Sequence, residues 1–339
     1  METATALAAR GHRVTILTSG AAPGRTTTGG VMILRWRRLF ADTTRHERWF
    51  GWRVATHLAT TRYDVVHALM PWDAFAAVRT ARLAGHRTVY EDLGIPIRAW
   101  WADKPDRTAR EAVARRVDVY GCMSHYALNI LKRDFGRSGV LIPGGVRMSE
   151  FRPAPEREPR PTVLFSGTLE DPRKGVGLLL EAVAAVATRV PDVQLWLSGP
   201  GDAGPLLESG PPEARARTTV LEIGEPHSQA WRYGRAWATA LPSVNESFGM
   251  VLVESLACGT PIVVTDDSAP PELVSEGVGF VCHPGDIQSL AAGLVSALTL
   301  ATEPGLAERC RAIAAEYDWD AAIVPILDAI YEGEPVARA

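Results

Sequence analysis

The chain has 339 residues, 46% hydrophobic and 22% charged, a composition that suits a soluble globular protein with ample core and enough length for two domains. Its net charge of −3 argues against a nucleic-acid partner held by bulk electrostatics. No stretch approaches the roughly 18 uncharged apolar residues of a membrane span, and the start, Met1-Glu2-Thr3, lacks the basic region of a signal peptide, so the expected location is cytoplasmic.

In chain order, residues 1–10 read as a helix, and strand windows follow at 13–18, 31–35, 65–68, 88–91, 117–122 and 140–142. A doubly wound domain normally opens on a strand and a glycine-rich turn, so an internal methionine taken as the start is the expected explanation of this opening. Four prolines between 153 and 161 favour an extended linker. Beyond it, strand windows lie at 163–166, 194–198, 220–223, 238–242, 261–264 and 279–282, with helical runs at 177–188, 250–257 and 287–298. Strands alternating with helices imply βαβ units and parallel sheets covered on both faces. The expected fold class is therefore α/β, with two doubly wound, Rossmann-like domains facing each other across a cleft.

Two segments carry chemistry. In 241–264 a strand ends at Pro242, a polar loop holds Asn245 and Glu246, Ser247 is placed to cap a helix starting near Phe248, and Glu254 lies two turns into it. Free amides around Phe248, Gly249 and Met250 would make an anion site between the two carboxylates. In 165–182 a strand runs into Gly167 and a turn that ends on Arg173, Lys174 and Gly175, two adjacent cations suited to a leaving diphosphate. The competing bland readings are solvated glutamates and a solvated basic turn.

These segments, in this order, resemble the retaining GT-B glycosyltransferases of glycosyltransferase family 4. Glu246 and Glu254 match the family's E-x7-E motif, and residues 167–175 match its G-R-x5-K-G turn except that Thr168 stands where the family has arginine. Generic matches at 8–18, 64–68, 142–147 and 151–153 extend the similarity along the chain. The resemblance implies an acceptor-binding domain at 1–152 without the family's first strand and glycine loop, with Glu2 aligned to the acid after that loop. It further implies a linker at 153–161, a nucleotide-sugar domain at 162–317, and a C-terminal helix at 318–339 crossing back. By position, Glu254 would hold the donor ribose and Glu246 the donor sugar. Lys174 would neutralise the diphosphate, Gly199 and Gly201 would border the nucleotide, and Gly167, Ser247, Phe248, Gly249 and Met250 would complete the pocket. The implied reaction moves a hexose-type sugar from a UDP- or GDP-type donor to a hydroxyl of a natural product, lipid or sugar, with retention. It needs no metal, no cofactor and no protein nucleophile. The alternatives are a nucleotide-sugar-binding protein without efficient transfer and a GT-B epimerase.

A neutral Thr168 cannot replace a guanidinium, so Arg173 is expected to compensate, at a cost on removal equal to that of Lys174. Glu91, followed by Asp92, stands where many members carry a histidine. The G-x-G-x-x-G spelling at 199–204 leads into too short a helical run for a dinucleotide site. Arg35, Trp36, Arg37 and Arg38 with Trp49, Phe50 and Trp52 are either a solvated face or a peripheral contact with an anionic membrane at its inner face. His67 and His125 are expected to pack or hydrogen-bond. Cys122, Cys258, Cys282 and Cys310 have no metal-ligand spacing and read as inert thiols. Three lysines against 33 arginines point to GC-rich, actinobacterial-type coding.

Overall fold

The computed structural model describes residues 1–222, 224 and 226–334. It divides into two compact units, the first comprising residues 1–143 with the chain from Ile323 onward, the second residues 144–322.

The first unit opens with α1 (Glu2–Ala9), β1 (Thr15–Gly20), β2 (Gly24–Thr28) and β3 (Val31–Arg37). It continues with α2 (Thr43–Thr60), β4 (Val65–Ala68), α3 (Pro71–Ala84) and β5 (Arg87–Asp92). The series ends with α4 (Arg107–Arg116), β6 (Val119–Cys122), α5 (His125–Phe135) and β7 (Val140–Leu141). The strands form two sheets, not the single parallel sheet expected. One has the order β1-β3-β2, parallel between β1 and β3 but antiparallel between β2 and β3; the other, β4-β5-β6-β7, is parallel throughout. β2 escapes detection because Gly-Arg-Thr-Thr-Thr is exposed along its whole length and has no apolar face. Leu17 of β1 and Val66 of β4 nevertheless pack on one helical layer, built from Val54 and Leu58 of α2 with Ala76 and Ala77 of α3.

In the second unit come β8 (Thr162–Ser166), α6 (Val176–Val186), β9 (Gln194–Ser198), α7 (Gly204–Ser209), α8 (Pro212–Arg215) and β10 (Thr218–Leu221). Then follow α9 (Pro226–Arg235), β11 (Ala238–Leu241), α10 (Met250–Ala257), β12 (Ile262–Thr265), β13 (Gly279–Cys282), α11 (Ile287–Leu300) and α12 (Leu306–Ala315). All six strands are parallel in the order β10-β9-β8-β11-β12-β13. The strand window at 220–223 ends on residue 223, which lies outside the described residues. β8, β11 and β12 are buried along their full length, as expected of central strands covered on both faces. The chain leaves β8 toward β9 on one side and returns through β11 toward β12 on the other. The topological switch point, where such sheets bind ligands, therefore lies between the carboxyl ends of β8 and β11.

The proline-rich segment does not hang between the units. The Arg157 guanidinium donates to Thr260 Oγ1 at 3.1 Å and to the Gly259 carbonyl at 2.9 Å, and the Glu158 carboxylate pairs with Arg235 at 2.8 Å. These bonds tie the segment to the second unit, and the division falls at residues 143–144, ahead of the expected 152. Near the other end, α13 (Val324–Glu332) belongs to the first unit; residues 335–339 of the expected terminal segment lie outside the described residues. Asp328 of α13 pairs with Arg10 and lies 3.2 Å from His12, while the Tyr331 hydroxyl bonds His67 Nδ1 at 2.6 Å. His67 Nε2 faces Glu91 at 3.2 Å, so this histidine sits between a phenol and a carboxylate. All four cysteines are free and buried. Among the described residues no helix is long and apolar enough to cross a membrane.

Candidate active site

Every residue expected to carry chemistry lies in the second unit, around the switch point. After β8 the chain turns through Gly167, and the Gly167 amide donates to the Ser198 carbonyl at the end of β9. Gly199 follows at φ +143°, and a Cβ there would lie 2.0 Å from the Gly167 carbonyl oxygen, so only glycine lets the two strand ends meet backbone to backbone. Gly175 closes the turn at φ +69° against the Pro242 carbonyl at the end of β11, where a Cβ would come within 2.4 Å. The Val244 amide donates to the Arg173 carbonyl at 2.9 Å. The cationic turn is thus pressed onto the loop that carries the first glutamate.

That contact places Lys174 Nζ 2.5 Å from Glu246 Oε2, with the two side chains 21% and 15% exposed. Arg173 faces elsewhere. Its guanidinium pairs with Asp171 at 2.6 Å and is 56% exposed, and this ion pair holds the Asp171 carboxyl below its usual range. The two adjacent cations are therefore inequivalent, which removes the structural basis for expecting equal effects on turnover.

The loop before α10 is braced by residues the sequence reading passed over. Asn245, at φ +58°, donates its amide to Asp267 Oδ1 at 2.6 Å, and the Glu246 amide donates to Ser268 Oγ at 2.8 Å. Ser247 does not cap α10. The helix starts at Met250 after Gly249 in a left-handed conformation at φ +97°, with no side-chain cap, because a positive φ at 249 breaks the geometry by which Ser247 would reach the first turn. The amides around Met250 remain uncapped by side chains, as an anion site requires. The Phe248 ring packs against Tyr317 at 5.5 Å between centroids, so its side chain serves the core.

Glu254, half-buried on α10, accepts a hydrogen bond from the Tyr233 hydroxyl at 2.8 Å. Tyr233 is fully buried, and burial followed by the Glu254 charge pushes its pKa well above the ordinary value. Gln229 links Ser166 to this cluster at 2.9 Å, and the buried Arg232 donates to Ser198 Oγ at 2.8 Å. Arg232 makes no ion pair among the described residues; its partners are Ser198, Gln229 and the Glu222 carbonyl. Gly201, at φ +108°, lies beside Glu170 on the same edge. Among the described residues, no group of three or more His, Cys, Asp or Glu side chains is placed to hold a metal.

The sequence model described as "Glycosyl transferases group 1" matches residues 147–317, and the one described as "Glycosyltransferase Family 4" matches residues 1–150. The chain belongs to this glycosyltransferase family. A phosphatidyl-myo-inositol mannosyltransferase of Mycobacterium leprae is 36% identical over 243 residues, covering 67% of this chain and 61% of that protein. A D-inositol 3-phosphate glycosyltransferase of Actinosynnema mirum is 31% identical over 59% of this chain and 53% of the relative. The chain thus spans between about half and three fifths of the length of such relatives. Among solved structures, sucrose-phosphate synthase from Thermosynechococcus elongatus superposes with a TM-score of 0.83 at 20% identity, covering 98% of this chain and 91% of that one. HepE from Anabaena, in complex with UDP-glucose, gives 0.75 at 19% identity over 98% of this chain and 93% of that one. At such identities the likeness concerns fold: both units of this chain are Rossmann-like and the architecture is GT-B.

Proposed function

We propose that the chain is a retaining glycosyltransferase that moves a hexose-type sugar from a UDP- or GDP-type donor to a hydroxyl acceptor. The observation that carries this reading is the Lys174–Glu246 pair at the switch point, with Glu254 eight residues further along. In this reading the diphosphate displaces Glu246 from Lys174 and settles on the ammonium and the α10 amides. The released Glu246 takes sugar hydroxyls, and Glu254, fixed by Tyr233, takes the ribose. As the sugar–phosphate bond breaks, charge builds on the leaving diphosphate, where a preorganised cation stabilises the transition state more than the ground state. A leaving oxygen then accepts the acceptor proton, and attack follows on the same face. Lys174 supplies the positive charge that such a step needs, so the reading requires no metal.

By their printed names the two relatives above transfer a sugar to inositol-bearing acceptors, phosphatidyl-myo-inositol in one and D-inositol 3-phosphate in the other, which supports the class of reaction. A cytoplasmic location, peripheral at the membrane when the acceptor is lipid, belongs to the same proposal. Calorimetry with UDP and GDP, together with hydrolysis of UDP- and GDP-hexoses, tests it. Binding of one nucleoside diphosphate with slow donor hydrolysis that yields the donor's own anomer is expected. Tight binding with no hydrolysis and no transfer would favour a binding protein instead.

A further inference from the structure

Among the described residues, Asn245 and Ser268 are the two non-glycine residues with a left-handed backbone, at φ +58° and +57°. Such a conformation costs free energy that the surrounding structure must offset, and both residues lie in loops that follow the paired strands β11 and β12. Contacts between the two loops, and with the cationic turn, hold residues 243–246 one after another. The Thr265 hydroxyl donates to the Ser243 carbonyl, and the Val244 amide donates to the Arg173 carbonyl at 2.9 Å. The Asn245 amide donates to Asp267 Oδ1 at 2.6 Å and the Glu246 amide to Ser268 Oγ at 2.8 Å. In return the Ala269 amide donates to the Glu246 carbonyl at 3.2 Å, so both backbone groups of Glu246 are held by the second loop. That loop is itself anchored, because Ala269 is buried and Pro270 and Pro271 follow it with fixed φ.

The direction of these bonds is fixed by proton count. A serine hydroxyl has one hydrogen to give, and that of Ser268 goes to Asp267 Oδ1 at 2.8 Å. Its oxygen is thereby left to accept from the Glu246 amide. Asp267 Oδ1 accepts from Ser268 and Asn245 together, and its carboxylate enters no ion pair among the described residues. One acid thus holds both left-handed residues and terminates a chain that runs from the Glu246 amide through the Ser268 hydroxyl. Hydrogen bonds that end on a charged acceptor are stronger than neutral ones, which suits a clamp that must offset strain.

The Glu246 carboxylate has Lys174 as its one partner among the described residues. When a donor diphosphate takes that lysine, nothing on the side chain fixes the carboxylate, and its position depends on how firmly its backbone is held. Epimeric hexoses differ by inversion at one carbon. A carboxylate on a loose loop follows a hydroxyl in either configuration, whereas one whose own N–H and C=O are both fixed matches a single configuration and leaves the other unpaired. We propose that Asp267 and Ser268 are positioning residues that set the choice of donor sugar, by clamping the Glu246 backbone so that its carboxylate fits one hexose configuration. The proposal rests on the transferase reading above for the place of the sugar beside Glu246.

Calorimetry with UDP, GDP and their glucose, mannose and galactose conjugates tests the clamp. The wild type is expected to bind one hexose configuration at least about tenfold more tightly than its epimers. Asp267→Ala and Ser268→Ala should each narrow that ratio at least about fivefold. Binding of the bare nucleoside diphosphate should change by less than about twofold, which also verifies that the site is folded. Asp267→Asn, whose amide oxygen still accepts both hydrogen bonds, should retain the wild-type ratio. Ser268→Gly fits the left-handed backbone but lacks the hydroxyl, so it should match Ser268→Ala; a wild-type ratio there would assign the effect to backbone conformation and overturn the relay. An unchanged ratio in Asp267→Ala, or a wild type without preference among the epimers, would overturn the proposal. So would a loss of bare diphosphate binding as large as the loss for intact donor, since that is the mark of general damage to the site. A wild type that binds neither nucleoside diphosphate would bring down the transferase reading and this proposal with it, a result visible before any variant is made.

Discussion

Glu246→Gln should tighten binding of a bare nucleoside diphosphate while slowing transfer. In the free protein Lys174 is occupied by Glu246 at 2.5 Å, so a diphosphate must first displace a carboxylate. Two unit charges about 4 Å apart interact by about 4 kcal/mol at the effective dielectric of a protein near its surface. Fully exposed pairs retain only about 0.2–1 kcal/mol. At 21% and 15% exposure this pair falls between those limits, and a competition of about 1–2 kcal/mol is a reasonable expectation. That corresponds to roughly a five- to thirtyfold lower Kd for UDP or GDP in the variant. Calorimetry on the wild type, Glu246→Gln, Lys174→Met and the double variant provides the measurement. The gain should shrink in the Lys174→Met background and in high salt. Unchanged or weaker diphosphate binding in Glu246→Gln, or an equal gain without Lys174, would refute the competition. The single variant should also melt a few degrees lower until diphosphate is added, because it leaves an ammonium half-buried without its acid.

Three further outcomes follow from individual contacts. Arg173→Ala should change kcat/KM for donor by less than about threefold, because Asp171 already holds that guanidinium, whereas Lys174→Ala should cost about a hundredfold or more; equal losses would restore Arg173 to the chemistry. Tyr233→Phe removes the donor that fixes Glu254, so donor affinity should fall and stability drop by about 1–3 kcal/mol, and a donor titration that matches wild type would separate the phenol from the site. Asp73, in the first turn of α3, has its carboxyl pushed up to about 7 by burial and then by the charge of Glu47. Between its ordinary value of 3.8 and that figure the folded state keeps a proton that the unfolded chain has lost, so stability declines as pH rises through this window and stays lower above it. Asp73→Asn should therefore raise Tm by about 2–4 °C or more at pH 8 and by little at pH 4.5, and an equal shift at both pH values would contradict the titration.

How far residues alone reach depends on how local the deciding physics is. The buried strands of the second unit announce themselves, because β8, β11 and β12 are short, largely apolar runs without a charged residue. Glu246 and Lys174 were legible as candidates for the same reason: each sits at the carboxyl end of such a strand. Their contact was not legible, since 72 residues separate them and it depends on Gly175 lying against Pro242. Nor was the bracing of the glutamate loop by Asp267 and Ser268, or the role of Tyr233 behind Glu254, as a single aspartate, serine or tyrosine in a loop or helix carries no periodic signal. Ser247 shows the opposite failure. A serine ahead of an apolar run satisfies the capping rule locally, but Gly249 at a positive φ ends the loop two residues later and sets where the helix begins. The proline-rich segment misled in the same way: proline dictates an extended backbone but not what that backbone touches, and Arg157 and Glu158 bind it to the second unit. For the cationic turn and the proline-rich segment local chemistry dictated a conformation correctly and left its partner undetermined, and in the proposed reading the partner of Lys174 decides function. In that reading Lys174 serves as a diphosphate site once it releases the Glu246 carboxylate, which is what the Glu246→Gln titration measures.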